Sequence, residues 1–137
     1  VEVAPSERLP KALDERTLCV PDYDGNGMYR TWGNVLVNAH VGLLFLDFER
    51  PQRLRVTGIA LIDEDDPLRA AFTGAQLVVR VTADAIFPNC PRYLHRMEVV
   101  ERSPYVPCAG AAAPIPAWKR RPEFNAVLPP DDPAREH

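Results

Sequence analysis

The sequence predicts a small, mostly antiparallel β-barrel with short helices appended, in a single domain. Three observations carry this reading. Four runs have strand-like composition: Thr17 to Val20, Val41 to Phe48, Arg53 to Ile62 and Gln76 to Phe87. The connections between them are short, and only one segment shows a helical period. A hydrophobic content of 46% over 137 residues is enough for one core.

The elements follow in chain order. Residues 1–12 read as an N-terminal arm, with Val1 to Ala4 able to serve as a first strand, and Leu13 to Arg16 as a turn. Thr17 to Val20 is a β-rich run that Pro21 is expected to stop. Asp22 to Gly27 is too rich in Asp, Asn and Gly for regular structure. From Met28, apolar residues recur at Trp32, Val35 and Leu36, which predicts a helix of about ten residues. Asn26 or Gly27 is expected at its cap, with Asn34 and Asn38 at its exit.

Val41 to Phe48 is apolar on both faces, the pattern of a strand covered on both sides. After a turn at Glu49 to Gln52, the next strand places Arg53, Arg55 and Thr57 on one face and Leu54, Val56 and Gly58 on the other. The acidic run Asp63 to Asp66 reads as a solvated turn. Pro67 to Phe72 is a short helix with Asp66 as its cap. In the long strand, strict alternation puts Leu77, Val79, Val81, Ala83, Ala85 and Phe87 on one face, and Pro88-Asn89-Cys90-Pro91 ends it. A last strand is expected at Met97 to Val100. The boundary of the main domain falls at Pro107. Residues 108–137 read as a Pro-rich tail, draped on the domain or on a partner through Trp118 and Phe124 and disordered at its end; eight of the 15 prolines lie in residues 103–137.

A net charge of −3 argues against a nucleic-acid surface, which calls for a basic stripe. No apolar run reaches the length of a membrane span. Three cysteines, an odd number without a CxxC pair, and the lack of signal-peptide order at the start predict free thiols and a cytoplasmic setting.

Arg53 and Arg55 are the sharpest chemical signal. Alternate strand residues lie roughly 7 Å apart on one face, and two guanidiniums so placed repel unless an anion lies between them. The bland alternative is a solvated face paired with acids of a neighbouring strand. The loop Asp24, Gly25, Asn26, Gly27 offers backbone N–H groups that converge on an anion if the glycines take positive φ, although such loops are mostly plain turns. Tyr29 and Trp32 stand close enough in sequence to stack on a planar ligand, but aromatics on a helix face more often belong to the core. Cys90 has no nucleophilic partner in sequence, and His40 and His95 lack metal-ligand spacing, so no metal site is expected.

The blocks PDYDGNGMYRTWGNVLVNAHVGLLFLDFERPQRLRVTG and VVRVTADAIFPNCPRYLHRMEVVERSPYVP span roughly Leu13 to Pro107. In order and content they resemble the flavin-binding split-barrel family, in the branch related to pyridoxamine 5′-phosphate oxidase. The resemblance implies a six-stranded antiparallel split barrel, a homodimer, and FMN at the subunit interface. It places cofactor contacts on Asp24, Gly25, Asn26 and Gly27, with Asn26 foremost, and on Arg53 and Arg55. The chain also departs from the oxidases. Their Ser-Arg-Lys phosphate clamp corresponds here to Gly25, Asn26 and Gly27, and their Arg-x-His element has only Arg135-Glu136-His137 to match it. Relatives carry a first hairpin before the strand matching Thr17 to Val20, whereas here only VEVAPSERLP precedes Lys11, so the barrel is incomplete or Val1 to Ala4 supplies the strand.

The resemblance therefore implies an FMN-dependent oxidoreductase acting on a small molecule, but not pyridoxamine 5′-phosphate oxidase activity, and it names no catalytic residue. The alternatives are a non-catalytic flavin- or haem-binding protein, a deazaflavin-using reductase, or an oligomerisation module without a ligand. A homodimer is expected from the residues as well: Val41 to Phe48 is apolar on both faces, a barrel has one interior, and a second copy is the simplest cover for the other face.

Overall fold

The structure is a computed structural model and describes residues 10–111 and 113–135. The described residues form a mostly β protein. Its five strands are β1 (Lys11–Ala12), β2 (Thr17–Tyr23), β3 (His40–Asp47), β4 (Gln52–Asp63) and β5 (Ala75–Asn89). They make one antiparallel sheet in the order β1-β2-β5-β4-β3. Helix α1 (Arg30–Val37) joins β2 to β3, a 3₁₀ turn (Pro67–Ala71) joins β4 to β5, and a second 3₁₀ turn (Ala117–Arg120) leads into the short α2 (Pro122–Asn125). The first strand considered at Val1 to Ala4 lies outside the described residues.

One face of the sheet carries the main core. Leu18 and Val20 of β2, Val79 and Val81 of β5, Ala60 and Ile62 of β4, and Val41 and Leu43 of β3 pack against Val35 and Trp32 of α1. The helix is shorter than its sequence period suggests. Met28 precedes it and is exposed, and Leu36 faces away from the core, so only Trp32 and Val35 of the expected stripe dock. Tyr29, at φ 46°, takes the cap position without a side-chain hydrogen bond, while Asn26 Oδ1 accepts from the Met28 amide within the loop (3.1 Å). Asn38 closes the helix as expected, its N–H donating to the Asn34 carbonyl.

On the opposite face, at one end, Phe72 and Leu68 at the 3₁₀ turn pack on Cys19, Val78 and Ala75. Asp66 caps that turn, accepting from the Leu68 amide at 2.9 Å, as the sequence indicates. It is not solvated, however: its carboxylate is buried and accepts from Arg80 Nε at 2.6 Å and Nη2 at 3.0 Å. The Arg80 hydrogen bonds hold its carboxyl below the usual aspartate range against the effect of burial.

Two prolines lie inside strands that they were expected to end. β2 runs on through Pro21, opposite Val78, and β5 runs through Pro88, opposite Leu54. Among the described residues each stands where the strand has a partner on one side only: β1 pairs β2 no further than Cys19, and β2 pairs β5 no further than Thr82. A missing N–H on an open side costs no ladder bond. Residues 97–100 form no strand. They run as irregular chain, tied to the sheet by the Met97 amide donating to the Phe48 carbonyl (2.9 Å). The sheet among the described residues therefore has five strands rather than six.

The largest departure from the expected alternation lies in β5. Gly58 pairs with Ala83 but Thr57 pairs with Ala85, so Asp84 is an extra residue, a bulge. Beyond it the faces exchange: Ile86 and Pro88 join the side of Val81 and Ala83, while Ala85 and Phe87 cross to the other. Here the backbones approach closely, and a Cβ on Gly58 would lie 2.9 Å from the Thr82 carbonyl carbon and 3.0 Å from Ala83 Cα. Neither atom can move aside, both being backbone. Gly58→Ala should therefore destabilise the protein by about 3 kcal/mol or more, read as a shift of the urea midpoint. Gly42→Ala, where an added Cβ meets nothing within 4 Å, serves as the control.

Candidate functional site

The residues singled out by sequence fall at two ends of the sheet. Arg53 stands at the start of β4, opposite Asn89, and Asp63 ends the same strand opposite Val78. The Asp24–Gly27 loop leaves β2 beyond Asp22, which pairs with Leu77, the neighbour of Val78. Ten strand residues, roughly 30 Å at the usual rise, thus separate the arginines from the loop. Within one chain the two do not meet.

At the arginine end, a cleft of about 1090 Å³ opens between the β3–β4 hairpin and residues 97–99. Phe45, Phe48, Leu54 and Met97 give it apolar walls, and its charged lining is Arg53, Glu49, Glu98 and the ion pair of Arg50 with Asp47. The Arg53 Nη2 group donates to the Cys90 carbonyl. Its Nε–H is buried and is the one buried side-chain polar atom among the described residues without a hydrogen-bond partner. Such a donor costs free energy until an acceptor reaches it. Arg55, two residues on, is exposed on the same face. Its cross-strand neighbours are Leu44 and Phe87, and those of Arg53 are Leu46 and Asn89. Among the described residues neither arginine forms an ion pair. The neighbouring strands therefore do not supply the acids that a plain solvated face would need. Around Arg55 the face is apolar and open, with Leu44 50% exposed, Leu61 63% and Phe87 41%.

At the loop end, the polar groups already have partners. Asp24 Oδ1 accepts from Lys119 Nζ at 2.5 Å and from Gln76 Nε2 at 3.4 Å. Only Gly27 has positive φ, at 72°, and a Cβ there would lie 2.8 Å from Pro129 Cδ; a Cβ on Gly25 would find ordinary contact distance. The 113–135 segment is thus folded onto the loop, and within it the Trp118 and Phe124 rings pack on each other edge to face at 5.5 Å. Its anchor is Lys119, 2% exposed, held between Asp24 and Asp132 Oδ2 (2.6 Å).

Tyr29 and Trp32 are engaged as well. The Tyr29 hydroxyl donates to Gln76 Oε1 at 3.0 Å, and the Trp32 indole donates to Asp22 Oδ1 at 2.7 Å. Burial pushes the Asp22 carboxyl up, and the indole bond offsets part of this. Sequence reasoning missed Asp22, Gln76, Lys119 and Asp132, and no local signal could have paired residues 95 positions apart. Cys19, Cys90 and Cys108 are free thiols, as the odd count indicates, and no cluster of three metal-ligating side chains occurs among the described residues. No helix among them is long and apolar enough to cross a membrane.

No protein-family model and no curated protein matches the chain. Among solved structures, crystal structures of HupZ from Group A Streptococcus and of a single-substitution variant of it are similar to 58% of the chain, both at 20% identity. The match covers 67% and 72% of those chains, with TM-scores of 0.46 and 0.47. A likeness at this level leaves function to be argued from this chain's own residues.

The buried ion cluster sets a pH window for the C-terminal segment. Burial works against the Lys119 ammonium, but its bonds to Asp132 and Asp24 outweigh this and hold its pKa above the usual lysine value. Burial likewise pushes Asp132 up, and Lys119 outweighs it and holds the carboxyl below normal. The lysine's contribution is complete below its unfolded pKa and is lost as pH rises through the raised one. The aspartate's is complete above its unfolded pKa, about 3.9, and is lost as pH falls through the lowered one. Protection of the 113–135 amides, taken relative to their intrinsic exchange rate at each pH, should accordingly be highest between these limits and be lost first on the acid side, before that of β4 and β5.

Proposed function

We propose that this chain is an FMN-binding protein of the split-barrel type, working as a flavin-dependent oxidoreductase on a small molecule. The observation that carries the reading is the Arg53 Nε–H, buried and unpartnered beside a large apolar-walled cleft, with a second unpaired arginine on the same strand face. An oxyanion satisfies that donor, and the guanidinium fork suits phosphate oxygens. The aromatic and aliphatic walls suit a flat ring, and the cleft, at about 1090 Å³, is slightly larger than the roughly 300–1,000 Å³ of ordinary ligand pockets. These residues fit the group. Arg53 would hold its phosphate from the cleft lining, Arg55, outside that lining but on the same strand face, would add positive charge beside it, and Phe45, Phe48, Leu54 and Met97 would exclude water from its ring. When bound, the flavin supplies hydride or electron transfer, and the protein supplies position and electrostatics.

In the same reading the protein is a homodimer. The open apolar face around Arg55 needs a cover, and the Asp24–Gly27 loop, remote from the arginines of its own chain, would approach the cofactor from the second copy. The interface would bury more than about 2,000 Å², the range of obligate dimers.

Two experiments test this. In FMN titration, Arg53→Ala and Arg55→Ala should each weaken binding by about ten- to a hundredfold, the worth of a charge-assisted phosphate contact. Riboflavin binding as tight as FMN would remove the phosphate clamp, and a Soret band in the purified protein would replace flavin by haem. In sedimentation at falling concentration, followed at flavin wavelengths, dissociation should release cofactor and partner together. A folded monomer that keeps its flavin would overturn the dimer.

A further inference from the structure

At the far end of the sheet from Arg53, a second pocket of about 260 Å³ lies between the glycine loop and the start of α1, lined by Asp22, Gly27, Tyr29, Arg30, Trp32 and Gln76. We propose that it is a ligand site in its own right, taking a small organic ammonium ion on the Asp22 carboxylate. The inference does not rest on the FMN reading, which concerns the other end of the sheet.

The case starts from charge. Asp22 is half-buried, and the hydrogen bond it receives comes from a neutral donor, the Trp32 indole. No cation pairs with it among the described residues. A carboxylate withdrawn from water without a counter-charge is unfavourable, and a cation entering the pocket relieves this. The neighbouring acid, Asp24, is different: it shares the Lys119 ammonium with Asp132, whereas Asp22 has no such cation among the described residues. Arg30 also lines the pocket, but it is exposed and forms no ion pair with Asp22 among the described residues.

The wall opposite Asp22 is also held from a distance. Asp132 accepts from Lys119, Lys119 donates to Asp24, Gln76 donates to Asp24, and Tyr29 donates to Gln76. This continuous chain of hydrogen bonds runs from the C-terminal segment to the phenol at the pocket lining. It fixes Tyr29, whose backbone sits in the left-handed region, and makes the 113–135 segment a positioning element for the site. Gly27, which lines the same pocket, is pinned on its other side by Pro129.

The test titrates ¹⁵N-labelled full-length protein with phenethylamine and with its neutral counterpart 2-phenylethanol, following the Trp32 indole N–H, assigned with Trp32→Phe. Phenethylamine should shift that resonance saturably, and 2-phenylethanol should bind at least about tenfold more weakly. Asp22→Asn, which keeps the acceptor for the indole, should weaken the amine by a similar factor. Lys119→Met and Gln76→Ala both cut the relay and should weaken it several-fold; Gln76→Ala does so without exposing a buried charge. Equal binding of alcohol and amine, no saturable shift, or full affinity in Asp22→Asn would overturn the site. Full affinity in both relay variants would overturn the positioning role.

Discussion

The pairing of β4 with β5 depends on the missing side chain of Gly58. At that point the two backbones lie too close for a Cβ, and β5 accommodates one more residue than β4. The bulge bends the long strand and exchanges its faces. Because of it, Val79 and Val81 enter the core beneath α1 while Phe87, further along the same strand, stands beside Arg55 on the open side. The two ends of the sheet are thus set apart by a backbone event in its middle.

Charge is handled in opposite ways at these ends. At the loop, Lys119 lies between two carboxylates out of water, and its worth depends on both bonds being kept, since breaking a buried pair leaves an uncompensated charge. That cluster binds a segment distant in sequence to the loop and settles its conformation. At the arginine end the guanidiniums of Arg53 and Arg55 have no acidic partner among the described residues, and their cross-strand neighbours are Leu46, Asn89, Leu44 and Phe87. A structural role would pair such groups with acids; a binding role leaves them for an incoming anion. The same contrast separates Asp24, which shares the Lys119 ammonium with Asp132, from Asp22, which has no such cation among the described residues.

Several elements were legible because their signals are local. The strand signature over Val41 to Phe48 and Arg53 to Ile62, the turn between them and the Asp66-Pro67 start of the 3₁₀ turn all follow from neighbours within a few residues, and all stand in the structure. The shared face of Arg53, Arg55 and Thr57 is a consequence of period 2 alone, and the register of β4 against β3 and β5 keeps it. Other readings failed for a common reason. Pro21 and Pro88 look like strand ends until one sees that each lies on a side with no further partner strand among the described residues. Strict alternation in Gln76 to Phe87 fails because a bulge answers to the opposing strand. Met97 to Val100 has strand composition but gains only one backbone bond to the sheet.

By itself, then, the sequence determined the β-rich class, the strand runs, the free thiols and the arginine-bearing face, since each depends on side-chain type and spacing within one segment. Tertiary structure alone decided which charges are spent and which remain. Lys119 reaches Asp24 across 95 residues, Trp32 reaches Asp22 across the loop, and the Arg53 Nε–H is left without an acceptor. Long-range pairing is a property of where the chain returns to itself. The free energy of a charge is set by its surroundings, by burial and partners, and not by its place in the sequence.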